Sequence, residues 1–374
     1  MTDHSRPVRL AIIGSGSIAE AAHMPAVNTQ GGATQVVAAV DVDFERARAF
    51  AARWRIPAAF EDVGRMLKET APDLAIVCTP PGAHREAIVT CLNAGVWVWC
   101  EKPPTLSLAE YDEIAAHERE GGPYVAYVFQ HRFGSAARAL REHIRTGRLG
   151  RPLIGICHTL WYRGDSYYQV PWRGKWSTEG GGPSMGHGIH QMDLMLALLG
   201  EWTEVRAATA TLARDVETED VSMAIVRFAS GAMVSMVNTV LSPRETSYLR
   251  FDFPEATVEL THLYGYDNTN WTWTPAPHRV QDTPADLGAP EQNDASSHTA
   301  QLRHLIDALR SGRRPEASGD DGRRVLAFIA ALYQSASSGA PVTPDLIAPG
   351  NPFYYSMSGA PLPSTSAERE ESHV

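Results

Sequence analysis

Glu101, Lys102 and Pro103 follow a short apolar run, Val96-Trp97-Val98-Trp99-Cys100, and the lysine is the first residue here with a chemical reading. An ammonium at the end of a parallel strand can hydrogen-bond a reacting hydroxyl or carbonyl and favour the negative charge that develops on it. The alternative is a solvated lysine paired with Glu101. Upstream, Gly14-Ser15-Gly16-Ser17-Ile18-Ala19 has the form G-x-G-x-x-[GA]. That pattern alone is weak, since glycine-rich chains produce it by chance. Here it follows Val8-Arg9-Leu10-Ala11-Ile12-Ile13, an apolar run of strand length, and opens into Ile18-Ala19-Glu20-Ala21-Ala22, a good helix start. Glycines let a backbone approach a pyrophosphate, and a helix N-terminus offers unpaired N–H groups and the positive end of a dipole. Gly14, Gly16, Ser17 and Ile18 are therefore candidate contacts to a dinucleotide. Asp41 lies about twenty residues past the loop, where a carboxylate can accept hydrogen bonds from the adenosine ribose. Val42 follows it where a basic residue would help hold a 2'-phosphate, so NAD is favoured over NADP, although an arginine from elsewhere could serve. The other reading of Asp41 is a turn residue.

The elements that must position these residues are legible in the same stretch. From residue 7 to about 128, strand and helix patterns alternate, with strands at 35–41, 73–79 and 124–129 and helices at 45–54, 83–94 and 108–120. Such alternation predicts a parallel sheet with helices on its faces. Beyond it come a helix at 135–146, a strand at 153–162, a Gly180-Gly181-Gly182 hinge and an apolar helix at 187–199. Alternating segments near 204–214, 220–228, 232–241 and 247–260 follow without intervening helices, which predicts an antiparallel or mixed sheet. Residues 264–295 read as an irregular excursion, and helices at 299–311, capped by Asp294 or Ser296, and at 320–338 close the chain. The fold class is thus α/β: an N-terminal Rossmann-type doubly wound parallel sheet, 1–128, plus a C-terminal α+β domain with an open, mainly antiparallel sheet, 129–363. The tail 364–374 reads as disordered.

At 374 residues the chain exceeds what one core usually holds, which supports two domains. A formal net charge of -10 without a long basic block argues against nucleic acid and toward a small neutral or polar ligand. Cys78, Cys91, Cys100 and Cys157 show no C-x-x-C spacing and read as buried thiols in a reducing compartment. No stretch reaches the length of a transmembrane helix, and no signal-peptide pattern opens the chain, so a cytoplasmic location is expected.

The glycine loop, Thr79-Pro80 with His84 after the third strand, Glu101-Lys102-Pro103 and Arg132-Phe133 together resemble the glucose-fructose oxidoreductase and inositol dehydrogenase family, Gfo/Idh/MocA, over nearly the whole chain. The resemblance is specific for fold and cofactor and much less so for substrate. It implies that Thr79, Pro80, His84, Glu101 and Lys102 border the cofactor, that Lys102 projects toward nicotinamide and substrate, and that the peptide before Pro103 has unusual geometry. A second constellation, Gly180-Gly181-Gly182-Pro183-Ser184-Met185-Gly186-His187-Gly188-Ile189-His190, resembles the family's glycine-rich turn and helix start. Dehydrogenases of the family commonly carry Asp or Asn four residues before a His, on one helical face. The histidine matches His190, whose pKa range suits proton transfer, but the acidic position is Gly186. His187 either shares the face of His190 as a catalytic hydrogen-bonding or proton-relay group or points into the helix interface. Asp193 reads as a structural partner. The H-x-x-H pair lacks a third ligand at useful spacing, so no metal is expected.

Between the two domains, Trp161-Tyr162-Arg163-Gly164-Asp165-Ser166-Tyr167-Tyr168 and Val170-Pro171-Trp172-Arg173-Gly174-Lys175-Trp176 interleave aromatics with charges. Rings stack on the C–H faces of a sugar or cyclitol while polar side chains take its hydroxyls, which makes Arg163, Tyr167, Trp172, Arg173 and Lys175 candidate substrate contacts. A packed interface loop would look the same. Arg132 is either a further substrate contact or an anchor for the interdomain helix. The leading expectation is an NAD-dependent oxidoreductase acting on a sugar, sugar derivative or cyclitol held between Lys102 and His190. Two others compete: an enzyme that recycles bound NAD for epimerisation, elimination or glycoside cleavage, which Gly186 motivates, and a non-enzymatic nucleotide-sensing regulator, against which Lys102 and His190 argue. An open sheet has a face to cover, so a homodimer or homotetramer is expected.

Overall fold

Continuous apolar runs form the first sheet because both of its faces are covered. The computed structural model describes residues 6–279, 288 and 290–360. Strands β1 (Val8–Ile13), β2 (Thr34–Val40), β3 (Ala59–Phe60), β4 (Leu74–Val77), β5 (Trp97–Cys100) and β6 (Val125–Tyr127) lie in the order β3-β2-β1-β4-β5-β6, all parallel. This is the doubly wound arrangement. Its strand order reverses between β1 and β4, where the carboxyl ends open a crevice. Asp43, Asp62 and Ser107 each cap a helix by accepting a main-chain N–H with the side chain, at Phe44–Trp54, Val63–Thr70 and Leu108–Ala115. Strand β3 and the helix Val63–Thr70 are additions to the sequence reading. A two-residue strand has no periodicity to detect.

The second sheet has seven strands: β7 (Ile154–Tyr162), β8 (Trp202–Ala210), β9 (Val221–Phe228), β10 (Met233–Thr239), β11 (Leu241–Asp252), β12 (Ala256–His262) and β13 (Trp271–Pro275), ordered β13-β12-β11-β7-β10-β9-β8. The pair β7 and β10 is parallel and the other pairs are antiparallel. The segment read as 247–260 is corrected to two strands, because β11 and β12 form a hairpin around Phe253, Pro254 and Glu255. Alternation runs through such a tight connection without a break. The excursion at 264–295 is corrected too, since it holds the edge strand β13.

One face of this sheet is covered by the helices Ile189–Leu199 and Asp320–Ser338, and the Ser335 hydroxyl accepts the Ala207 N–H at 3.0 Å. The helix His298–Ser311 starts at a Ser297 cap, not at Asp294 or Ser296, and sends Leu302, Leu305 and Ile306 into the apolar layer of Leu10, Ile12, Ile76 and Trp99. This helix, from the last third of the chain, thereby packs against the first sheet. All four cysteines are buried and unpaired. Among the described residues no helix is long and apolar enough to cross a membrane. The tail from Ser364 lies outside the described residues.

Candidate active site

The crevice between β1 and β4 is shaped by what Gly14 lacks. Its φ is +95°, its N–H donates to the Val40 carbonyl at 2.8 Å, and a Cβ there would stand 2.8 Å from the main chain of Cys78 and Thr79. Only glycine lets the ends of the two strands meet so closely. A Cβ at Gly16 would meet nothing within 4 Å, so the loop faces open space there. Ser17 and Ile18 continue from it into the helical turn Ala19–His23. Asp41 closes the far end, its Oδ2 accepting the Ser15 N–H at 2.9 Å and its Oδ1 the Asp43 N–H at 3.0 Å. The turn reading of Asp41 is met by these bonds, and its carboxylate lies beside the glycine loop. Arg46, which the sequence reading missed, lies 3.4 Å from both Asp41 and Asp43. The thin glycine loop, the helix start behind it and the Asp41 carboxylate at its side fit a dinucleotide, with Gly14, Gly16, Ser17, Ile18 and Asp41 as the residues that would hold it.

Lys102 leaves β5 through a cis peptide to Pro103, the unusual geometry that the resemblance implied. Its Nζ donates to the carbonyl of Gly186 at 2.7 Å, so the ammonium is not paired with Glu101. Glu101 turns inward instead. Its Oε1 accepts from His23 Nε2 at 2.8 Å and from His298 Nε2 at 3.3 Å, and its Oε2 takes the Lys102 N–H at 3.2 Å. Burial alone would raise the carboxyl pKa, but the two imidazoles outweigh it and hold Glu101 well below its usual range. Burial lowers the pKa of Lys102, with Glu101 and Glu179 opposing that fall and Arg173 and Arg163 adding to it. His84 is buried, and its two ring nitrogens meet the carbonyls of Thr79 at 2.9 Å and Pro103 at 3.0 Å. It struts the β4 loop, where Pro80 leads a short turn, against the β5 loop. Beside it, the Thr79 hydroxyl is buried and has no partner among the described residues.

The opposite wall is the glycine turn. Gly180 and Gly181 have φ of +78° and +159°, and a Cβ on Gly182 would lie 1.9 Å from the Glu219 carbonyl oxygen. The Glu219 carboxylate accepts the N–H groups of Gly182 at 2.9 Å and Ser184 at 3.0 Å and the Tyr333 hydroxyl at 2.9 Å. Anchored this way, the turn delivers His190 in the first turn of the helix Ile189–Leu199. His190 is buried, its ring 5.1 Å from that of His131 and 5.5 Å from that of Tyr264, and neither ring nitrogen is hydrogen-bonded among the described residues. Burial, then the charge of Lys102, hold its pKa well below 6.5, so the imidazole is neutral and able to take a proton. His187 is held down likewise by burial, Lys102, Arg163 and Arg173. Its Nε2 faces the Tyr167 hydroxyl at 3.2 Å, and its ring meets Trp161 edge-on at 5.3 Å.

The aromatic loop stacks in layers. The Arg173 guanidinium lies 3.8 Å over the Tyr167 ring and 4.3 Å over Trp172, and it donates to the Tyr167 hydroxyl and to Glu179. Arg163 lies 4.9 Å over Trp161 and 5.5 Å over Tyr167 while donating to Glu245 at 2.9 Å. Lys175 is exposed and shapes the site through its main-chain carbonyl, which accepts the Glu179 N–H at 3.0 Å. Arg132 departs from the substrate-contact reading. Its Nε and Nη2 donate to the buried Asp193 at 2.7 and 2.6 Å and its Nη1 meets the half-buried Asp321 at 2.8 Å, so its donors are committed to tying three segments together. Asp193 is the structural partner expected of it. Glu179 and Tyr264 escaped the sequence reading. The one signal for Glu179 was an acid directly before three glycines.

A family model described as an oxidoreductase family with an NAD-binding Rossmann fold matches residues 8–129, and a second, the GFO/IDH/MocA C-terminal domain, matches 137–277. The chain is 28% identical over 363 residues to the D-glucoside 3-dehydrogenase of Escherichia coli (strain K12), covering 90% of this chain and 98% of that protein. It is 29% identical over 352 residues to the D-apiose dehydrogenase of Paraburkholderia graminis, covering 89% and 88%. Among solved structures it is similar to the WlbA dehydrogenase of Bordetella pertussis in complex with NADH and UDP-GlcNAcA, with a TM-score of 0.80 and 28% identity over 90% of this chain and 99% of that one.

Proposed function

The chain belongs to the Gfo/Idh/MocA family of NAD-binding oxidoreductases, and from that premise we propose that it transfers a hydride between NAD and a hydroxyl or keto carbon of a sugar, a sugar derivative or a cyclitol. The observation that carries the reading is the pairing across the crevice. Lys102 reaches from the strand end to the Gly186 carbonyl, one helical turn before a buried, neutral His190 with both ring nitrogens open. The carbohydrate names of the D-glucoside and D-apiose relatives, and the UDP-sugar bound by the similar solved structure, support the substrate class.

Bound NAD supplies the nicotinamide carbon that accepts the hydride or returns it. The chain supplies the rest. Lys102 hydrogen-bonds the reacting oxygen and stabilises negative charge on it, an effect enlarged by exclusion of water. A ring nitrogen of His190 takes the hydroxyl proton in oxidation and gives it back in reduction. Arg163, Tyr167, Trp172 and Arg173 form a wall suited to stacking and hydrogen-bonding a polyol, and His187 with Tyr167 extends the polar edge beside His190. The exposed apolar face of the second sheet supports a homo-oligomer, and four unpaired thiols support a reducing, cytoplasmic compartment.

The test is turnover of a sugar and cyclitol panel with NAD, followed by reduced-cofactor absorbance and product mass. Lys102→Ala and His190→Ala are expected to lower kcat by about 10²- to 10⁴-fold, with His190→Ala still binding NAD. Full turnover by both variants would remove these roles. Product formed without net reduced cofactor would mark a recycling enzyme.

A further inference from the structure

We propose that Glu179 is the acidic partner of Lys102, a positioning residue that holds the ammonium charged at the Gly186 turn; this rests on the hydride-transfer reading above. Residue 186 brings no side chain to the site, yet the direction in which one would project is occupied. Apart from its chain neighbours and the backbone of its own helical turn, a Cβ built on Gly186 would meet one described atom within 4 Å, Glu179 Oε1 at 3.5 Å. The carbonyl of the same Gly186 accepts Lys102 Nζ at 2.7 Å. One glycine therefore stands between a lysine ammonium on its carbonyl side and a carboxylate on its side-chain side.

Glu179 is poorly explained as a structural acid. It ends the short helix Trp176–Glu179, is 5% exposed, and takes one main-chain N–H, from Gly174 at 2.6 Å to Oε2, with Arg173 at 3.3 Å from Oε1. A carboxylate so buried costs free energy unless its charge is used. Glu219 shows the contrast. It serves as a strut, with two main-chain N–H groups and a tyrosine hydroxyl.

The charged and titratable groups around Lys102 are Glu101, Glu179, Arg173, Arg163, His187, His190 and His131. Of the two acids, Glu101 is already gripped by His23 and His298. Glu179 has Lys102 and Arg173 as its cations, with the Gly174 N–H on its other oxygen. Burial raises its own pKa, Gly174, Arg173 and Lys102 oppose that rise, and its charge in turn favours the protonated lysine. Loss of that charge therefore leaves an ammonium that deprotonates at lower pH.

The experiment is the pH profile of kcat/KM with NAD and a verified sugar substrate for the unaltered chain, Glu179→Gln and the double variant Glu179→Gln with Gly186→Asp. Glutamine keeps an acceptor for the Gly174 N–H. It is expected to lower kcat by about tenfold, leave KM for NAD unchanged, and move the alkaline limb about one pH unit down. Gly186→Asp returns a carboxylate from the other wall, at a position with ordinary van der Waals room, and is expected to move the limb back up. An unshifted limb in Glu179→Gln, or a loss of kcat that Gly186→Asp does not relieve, overturns the proposal. Lack of any sugar turnover by the unaltered chain is a separate result, and it overturns the hydride-transfer reading beneath the proposal.

Discussion

Buried histidines set how this protein meets acid. Burial is the first cause that lowers His131 to about 3 and His262 to about 4, and the nearby His262 depresses His131 further. In the unfolded chain each takes up a proton near 6.5 while the folded protein keeps it neutral. Their contribution is thus fully present above 6.5 and is lost as pH falls, down to about 4 for His262 and about 3 for His131. Each costs about 1.4 kcal/mol per pH unit inside its window. Urea unfolding at pH 7 and pH 5 should show this loss, and His262→Asn should reduce its slope by about one proton; equal slopes in the two proteins would mean that His262 is accessible to protons when folded. At this scale, what could be read beforehand was position. Lys102 stands at a strand end and His190 at a helix start, because local motifs determine both. Pairing could not be read. Arg132 meets Asp193 and Asp321, and Glu179 approaches Gly186, through contacts between segments that no spacing rule connects.

The glycine turn is held as an element by one side chain. Replacing Glu219 with Ala leaves the N–H groups of Gly182 and Ser184 and the Tyr333 hydroxyl without their acceptor in the interior. Glu219→Ala is expected to destabilise the fold by about 2–4 kcal/mol and to lower kcat more than NAD affinity, since the loosened turn carries His190 while the glycine loop is untouched. An unchanged denaturation midpoint would show that water takes over the lost bonds. Elements were legible where the physics is local. Parallel strands buried on both faces read as continuous apolar runs, whereas the short helix Val63–Thr70 behind its Asp62 cap went unread. The second sheet was legible in kind and blurred in detail. Alternation continues through the hairpin after β11, and β13 is an edge strand whose partner alone defines it.

At the scale of the whole molecule, the second sheet leaves one face uncovered by the described residues. Ile154 on β7, Met233 on β10 and Met223 and Ile225 on β9 are all exposed, and Met233 pairs directly with Ile154 in the register. Single exposed apolar residues are ordinary, but these four lie on three adjacent strands of one sheet. Arg227, which the register sets opposite Met233, and Glu204 form an ion pair at the β8 edge, so the patch has the apolar centre and polar rim of an interface. Pairing of two copies through this face would make an isologous contact, in which each substitution acts twice. Met223→Lys with Ile225→Lys therefore places four charges in the joint of a dimer. Light scattering at micromolar concentration should find two chains per particle for the unaltered protein and one for the double variant. The far-UV spectrum should stay the same, because both side chains point away from the core. A monomer at every concentration of the unaltered protein, or a dimer that survives the lysines, would place the contact elsewhere.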